Sequence, residues 1–442
     1  MPAPETNALR RPTLEAVVHA LAVVLPLRTP ADVGLKHYFR EHKGLGARDR
    51  ALVADTVYAV LRRRRMLETV TPTASPRELV LAALVLLQGV GVGQLEPLLR
   101  RDEREWLSAL KGQDLDALPF EVRADLPDWV LGRLRKRLGD DETLALARVL
   151  QRPAPLDLRV NTLKAPRAGV LQRLESDGLT AHPTRYSPIG VRVKQKVALN
   201  THPMFLDGAV EVQDEGSQLL GLLVEPRRTD LVIDFCAGAG GKTLQLGAAM
   251  ASHGRLYAFD ISDKRLANLT PRLRRSGLSN VHPQRIEGEN DAKVKRLRGK
   301  ADRVLVDAPC TGFGTLRRNP DLKSRQTESS LAELNAKQQS ILNAAASLVK
   351  PGGRLVYGTC SLLEEENEAI INAFLASHED FRLIPCADVL ARQGIAIPGC
   401  EAYLQLWPHR HDTDGFFGAI LERSAPQPVS DTVSDTENGS ER

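Results

Sequence analysis

Apolar positions along the chain keep two different rhythms, and the change between them divides it into parts. From the start to about residue 140 the rhythm is helical. Leu14, Val17, Val18, Leu21, Val24 and Leu25 recur at helical spacing, as do Leu52, Val53, Val57, Val60 and Leu61. Ser75-Pro76-Arg77-Glu78 is a helix start: a serine cap, a proline at the first helical position and a glutamate three residues past the cap. The apolar stretch Leu79 to Leu87 follows, and Gly89, Gly91 and Gly93 break it. Residues 1–140 are thus expected to form an all-helical domain with no chemistry of its own.

Between 141 and 215 the texture changes. Pro153 and Pro155 mark a hinge, Leu158 to Leu163 predicts a strand, and helical spacing returns from Val170 to Leu174. Val191 and Val193 alternate with Arg192 and Lys194, as in a half-exposed strand, so this part reads as a small α/β linking module. From 216 to 424 short apolar strands alternate with helical stretches: Leu231 to Ile233, Leu256 to Phe259, Val304 to Val306 and Leu355 to Tyr357. The last strands fall at Tyr403 to Trp407 and Gly415 to Leu421. That alternation predicts an α/β domain, a mostly parallel sheet covered by helices on both faces. Residues 425–442 are polar, acidic and proline-bearing, which predicts a disordered tail.

Composition narrows the function classes. A length of 442 residues suits two or three domains, and 42% apolar with 26% charged residues suits a soluble protein with sizeable cores. No apolar run approaches a membrane span and the first residues lack a signal-peptide layout, so no membrane partner and a cytoplasmic location are expected. The net charge of +5 is mild. Basic runs weigh more: Arg62 to Arg65, Arg272 to Arg275, Lys293 to Lys300 and Arg317-Arg318. One such run would read as a solvated helix face, but four tilt the reading toward nucleic acid. Aromatics at 4% disfavour a surface built on base stacking. The five cysteines are odd in number, widely spaced and without a C-x-x-C pair, which argues against a disulfide framework and a zinc site. No metal is expected.

The candidate chemistry sits at strand ends. Leu231 to Ile233 runs into Asp234-Phe235-Cys236-Ala237-Gly238-Ala239-Gly240-Gly241-Lys242-Thr243, a glycine turn leading into a helix. A P-loop would need glycine where Cys236 stands, and Gly238, Gly240 and Thr243 do not complete the dinucleotide spacing. S-adenosylmethionine has no pyrophosphate but still needs a glycine turn. Asp260, closing the next strand, is placed to accept hydrogen bonds from both hydroxyls of its ribose. Asp307-Ala308-Pro309-Cys310 and Thr359-Cys360-Ser361 each follow a strand directly, on the edge where open α/β sheets bind ligands. Cys386 and Cys400 lie elsewhere and read as inert core residues, and Cys236 lines the cofactor loop. A methyltransferase needs a thiolate when its target is carbon 5 of cytosine, which is too poor a nucleophile until a thiolate adds at carbon 6. Asp307, protonated or sharing a proton, is the candidate acid at N3 and N4. A second thiol can help release the product. Chemistry alone leaves the attack role open between Cys310 and Cys360.

These residues resemble the Sun/Fmu (NOL/NOP) family of RNA cytosine-5 methyltransferases. The matching stretches are Arg159 to Lys164, Gln213 to Ser217, Asp234 to Thr243, Asp307 to Gly314 with Arg317 to Pro320, Thr359 to Ser361 with Glu365-Glu366-Asn367, and Pro408 to Phe417. They span roughly residues 127 to 423, and their combination is specific where each alone is weak. Ala47-Arg48-Asp49-Arg50 and the apolar helix behind it are similar, more weakly, to the NusB-like RNA-binding domain of bacterial ribosomal RNA members. The resemblance implies a Rossmann-like class I methyltransferase sheet using S-adenosylmethionine, attack by Cys360 and product release by Cys310. It implies cofactor contacts from Cys236, Ala237, Gly238, Ala239, Gly240, Gly241 and Lys242, with Asp260 and Asp307. Two departures stand out. Against the family's C-A-x-P-G-G-K, Gly240 is read in place of the proline, and a family aspartate after the third strand is read as Glu289, with Asp291 as the rival. Arg317, Arg318 and Lys323 are candidate RNA contacts near the site, and the expected partner is RNA, most of all ribosomal RNA, bound by a monomer. The rival readings are a transfer RNA or DNA cytosine-5 methyltransferase and a non-catalytic ribosome assembly factor.

Overall fold

The computed structural model describes residues 9–195 and 197–425, so the tail expected to be disordered lies outside the described residues except for Ala425. The N-terminal part is a helical bundle. Helices Arg11–Val24, Ala47–Arg62 and Pro76–Leu86 share a core through Leu14, Leu21, Val57, Val60 and Leu81. Every residue from Leu79 to Val85 is buried, which is why that stretch shows no polar face: it is the central helix. Its start is capped as the sequence predicts. The Ser75 hydroxyl accepts from Glu78 N (3.4 Å), and the Glu78 carboxylate accepts from Ser75 N (3.2 Å).

Helices Asp128–Leu138 and Asp140–Leu150 leave that bundle. Leu131, Leu134, Leu146 and Leu150 pack with Phe313, Leu316, Leu363 and Trp407. The expected boundary at 140 therefore falls between two helices that share one core with the methyltransferase-like part. Four short strands follow: β1 (Leu156–Val160), β2 (Ala181–Pro183), β3 (Gly190–Val193) and β4 (Val210–Val212), antiparallel in the order β2-β3-β1-β4. Helix Arg167–Ser176 covers them by packing Val170 and Leu174 on Leu158, Val160 and Val191. β1 stops short of Leu163 because Asn161 turns the chain, its Oδ1 accepting from Leu163 N (3.2 Å).

The large sheet is the Rossmann-like α/β layer. β5 (Leu231–Asp234), β6 (Arg255–Asp260), β7 (Val281–Arg285), β8 (Ala301–Asp307) and β9 (Val349–Thr359) run parallel in the order β9-β8-β5-β6-β7. β12 (Phe416–Arg423) adds antiparallel to β9, and β10 (Phe381–Ile384) and β11 (Leu404–Leu406) pair with β12. Leu305 and Val356 face Leu219, Leu220 and Leu246 on one side, while Val304, Val306 and Tyr357 face Ile341, Leu342 and Ala345 on the other. Strands buried on both faces have no polar alternation, so β8 and β9 are plain in the sequence. β7 and β10 lie at the edges. β7 reads Val-His-Pro-Gln-Arg, too polar for its rhythm to show, and an edge tolerates its proline. Chain order reverses between β5 and β8, and the crevice beyond their carboxyl ends is where such sheets bind ligands.

Candidate active site

That crevice opens into a cavity of about 820 Å³. Its floor is the turn after β5. Gly238 has φ +56° and Gly240 φ +84°, a left-handed backbone that only glycine adopts freely. At Gly240 a Cβ would also lie 2.1 Å from Leu269 Cδ1, so the turn needs glycine twice over. A φ of +84° is closed to proline, whose ring fixes φ near −65°. Counted from Cys236 to Lys242, the family's proline falls at Ala239, which corrects the expectation that Gly240 replaces it.

Two carboxylates frame the turn. Asp260, ending β6, accepts from Gly238 N and Ser262 N (2.8 Å each), which fixes it at the cavity wall. Asp234, ending β5, accepts from Thr243 Oγ1 (2.6 Å) through Oδ2, while its Oδ1 is buried with no hydrogen-bond partner. Burial, with the charges of Asp307 and Asp260 adding, pushes the Asp234 carboxyl up to about 7 against the Thr243 hydrogen bond. Across the crevice the Lys242 ammonium lies 2.7 Å from Asp307 Oδ2 and over the Phe416 ring, 5.4 Å from its centroid.

Of the residues expected to hold a cofactor, all but Gly240 line this cavity, and so do Cys310 and Cys360. Gly240 sits behind it as the N-cap of helix Gly241–Ala249. Glu289 faces the cavity, whereas Asp291 is spent on capping helix Ala292–Lys295, accepting from Lys293 N (2.7 Å) and Glu287 N (2.9 Å). The two thiols at the ends of β8 and β9 stand 3.4 Å apart, sulfur to sulfur. Cys310 is pushed well above the ordinary thiol value, first by its hydrogen bond to Cys360, then by burial, then by nearby negative charge. Burial also pushes Cys236 well up, which suits a lining role. The Cys310 loop is stitched to its neighbours: Gly314 N donates to Cys360 O and Gly415 N to Gly314 O, both at 2.8 Å.

Several residues of the site carried no assigned role in the sequence. Arg159 is wholly buried and donates to Gln213 Oε1 (2.6 Å) and to Gly241 O, so the small sheet braces the cofactor turn. Its burial lowers the guanidinium to about 10. Glu366 is fully buried between the cysteine loops. Neither is set apart locally, since Glu366 lies within the acidic run Glu364 to Glu368 and Arg159 two residues from Asp157.

The expected RNA contacts are placed differently. Arg317 is buried against Asp412 and Asp414 (3.4 Å each), and Arg318 pairs with Asp214 (2.9 Å) and Asp414 (2.5 Å). Lys323 is largely enclosed, donating to Asp125 Oδ1 (2.7 Å) and Arg62 O (2.7 Å). Their cations are already matched inside the protein, and a phosphate would have to displace carboxylates to reach them. Arg272 and Arg275 likewise hold Glu211. In the run Lys293 to Lys300, by contrast, Lys295, Arg296, Arg298 and Lys300 are exposed, and Lys295 and Arg298 line a groove that also contains Glu289.

Known proteins share this architecture. The sequence pattern of the family described as 16S rRNA methyltransferase RsmB/F matches residues 221–422, and that of the RsmF/B-like, ferredoxin-like domain matches residues 126–200. A probable ribosomal RNA small subunit methyltransferase B from Synechocystis sp. is 32% identical over 428 residues, covering 89% of this chain and 95% of the relative. A protein of the same description from Bacillus subtilis is 30% identical over 319 residues, 72% of this chain and 71% of the relative. The crystal structure of a methyltransferase homolog protein from Pyrococcus horikoshii superposes with a TM-score of 0.59 at 27% identity, covering 70% of this chain and 100% of its own.

Proposed function

Because this chain belongs to the 16S rRNA methyltransferase RsmB/F family, we propose that it methylates carbon 5 of a cytosine in small-subunit ribosomal RNA. The methyl group comes from S-adenosylmethionine, and the reaction passes through a covalent adduct on Cys360. The observation that carries this reading is the pair of free thiols, 3.4 Å apart, in the cavity that the glycine turn also lines. Methylation of an amino group would have no use for them.

The cavity fits the cofactor. Asp234 offers a buried oxygen without a donor to its amino-acid end, and beyond the adjoining backbone no atom stands within 4 Å of where a Cβ on Gly238 or Gly241 would be. Asp260 serves the ribose hydroxyls and Glu289 the adenine side. When bound, the cofactor supplies an electrophilic methyl group on a sulfonium. Cys360, as thiolate, bonds to carbon 6, and the C5–C6 electron pair becomes available at carbon 5. Asp307, sharing a proton with the neighbouring Lys242 ammonium, hydrogen-bonds N3 and N4 and stabilises the adduct. Carbon 5 takes the methyl. Cys310 then accepts the carbon 5 proton and gives its own to the Cys360 sulfur as the S–C6 bond breaks, so both thiols are restored. The exposed run beside Glu289 and the helical bundle contact RNA phosphates, with affinity that falls as salt rises. The protein works in the cytoplasm.

Trapping distinguishes the two thiols. Incubated with ribosomal RNA and cofactor, Cys310→Ala is expected to leave a protein–RNA adduct on a denaturing gel, and Cys360→Ala to leave none. The reverse pattern would hand the attack to Cys310 and the release to Cys360, overturning both roles.

A further inference from the structure

Glu366 has no part in the steps above, yet it touches both cysteine loops. Its carboxylate accepts from Thr311 N (2.8 Å) and Thr311 Oγ1 (2.5 Å), from Gln338 Nε2 (3.0 Å) and from Ser361 Oγ. Thr311 follows Cys310 and Ser361 follows Cys360, so one side chain joins the residues next to the two thiols. Gln338 also holds Pro309 O (2.9 Å), the residue before Cys310. Asn367 closes the far side, accepting from Thr359 Oγ1 (2.6 Å) and donating to Ser361 O (3.2 Å). A buried network of this kind, in which every bond of the Glu366 carboxylate has its donor in place, holds its members in one arrangement.

The carboxylate has no lysine, arginine or histidine among its hydrogen-bond partners within the described residues. All four hydrogen bonds come from neutral groups, and the residue is fully buried. Burying a carboxylate is costly unless hydrogen bonds satisfy its oxygens, and here four do. The other ionisable groups of the thiols' cavity include Cys236, Asp234, Asp260, Lys337 and Asp307 with Lys242, and Tyr357 stands behind them. Lys242 is matched by Asp307, and three of the four hydrogen bonds to Glu366 come from Thr311 and Gln338, the two residues that hold the Cys310 loop, against one from Ser361 beside Cys360.

We propose that Glu366 is the positioning residue for both thiols and sorts their roles: it fixes the two loops at one separation, and its charge keeps the proton on Cys310 and leaves Cys360 to attack. The high-lying Cys310 thiol, to which the Glu366 charge contributes after the Cys360 hydrogen bond and burial, agrees with that assignment. The inference rests on the covalent reading above and supplies, from a neighbouring charge, the distinction that two thiols alone leave open.

The test compares Glu366→Gln with wild type in the full-length protein by two readouts. Alkylation with iodoacetamide across pH 6 to 9, read by peptide mass spectrometry, needs no RNA. Wild type is expected to be labelled at Cys360 first, and Glu366→Gln to lose that preference by about tenfold, the change in thiolate fraction that one pKa unit brings. Methylation of the RNA is expected to fall about 10²-fold in kcat, with KM changed by less than about twofold, as for a misplaced reacting group. Should Glu366→Gln fail to fold, Thr311→Val with Ser361→Ala removes two hydroxyl donors and keeps the charge. That variant is expected to lose kcat but keep or sharpen the labelling preference for Cys360. Unchanged preference in Glu366→Gln, or lost preference in the hydroxyl variant, would overturn the proposal. A wild type that labels as expected but leaves cytosine unmethylated would count against the reaction and not against Glu366.

Discussion

Asp234 is a buried carboxyl pushed up to about 7, mainly by burial, and that has a definite sign for stability. An unfolded aspartate releases its proton near pH ~3.9, while the folded one keeps it until about 7. Between those values the folded state binds the extra proton, so this group's contribution to stability falls as pH rises through the window. Asp234→Asn removes the titration. Urea unfolding from pH 4 to 7 is expected to show a shallower decline for the variant, and calorimetry above pH 7 a weaker affinity for S-adenosylmethionine because a carboxylate is replaced by a neutral amide. A decline as steep as wild type would mean that Asp234 is not the group that titrates. At this scale the sequence was legible where chemistry directly follows an apolar run: Asp234, Asp260 and Asp307 end strands, Cys310 and Cys360 lie just beyond strand ends, and all five line one cavity. Glu366 and Arg159 were not legible as functional residues. Their roles depend on Thr311, Ser361 and Gly241, partners that the fold brings to them, and no local pattern records such a meeting.

Elements were legible in proportion to their burial. The central strands β5, β8 and β9 and the helix Pro76–Leu86 announce themselves as unbroken apolar runs, while the edge strands β7 and β10 do not. The glycine turn between β5 and the helix Gly241–Ala249 shows what an element end can demand. Its spacing pointed to a ligand turn, but the need at Gly240 lies in a positive φ and in Leu269, a residue of the neighbouring helix Asp263–Ser276. Gly240→Ala therefore combines a left-handed alanine with a side-chain clash. It is expected to lower stability by about 2 to 3 kcal/mol by chemical denaturation, since strained backbone alone costs about 1 kcal/mol or more. A loss under about 0.5 kcal/mol would mean that the turn relaxes into another conformation.

At the scale of the whole molecule, Arg317, Arg318 and Lys323 did not read as internal residues, because charge is visible in sequence and its partner is not, whereas the run Lys293 to Lys300 does stay largely exposed. Lys323 joins the helical bundle to the segment that starts at Cys310: its ammonium reaches Asp125 O (2.9 Å), Asp125 Oδ1 and Arg62 O. Arg62 returns a bond to Arg317 O (3.1 Å), and Ala31 N donates to Asp321 Oδ2 (3.4 Å). The bundle is thus seated on the far end of the Cys310 loop. Lys323→Met leaves Asp125 buried with its backbone donors and Arg63 at 4.0 Å, so a loss of about 3 kcal/mol is expected, near the lower limit for breaking a buried pair. Limited proteolysis should then cut between residues 310 and 325 faster than in wild type. Equal rates would show that the apolar packing alone seats the bundle.

The stitching of Gly415 to Gly314, and of Gly314 to Cys360, ties the thiol pair to the start of β12, the last strand in chain order among the described residues. A chain made from its N-terminus acquires the cofactor turn, then Cys310, then Cys360, and only afterwards the strand that locks the two sulfurs' loops together. During synthesis the two thiols are therefore made before the strand that holds their loops together, and their 3.4 Å spacing waits on the arrival of β12.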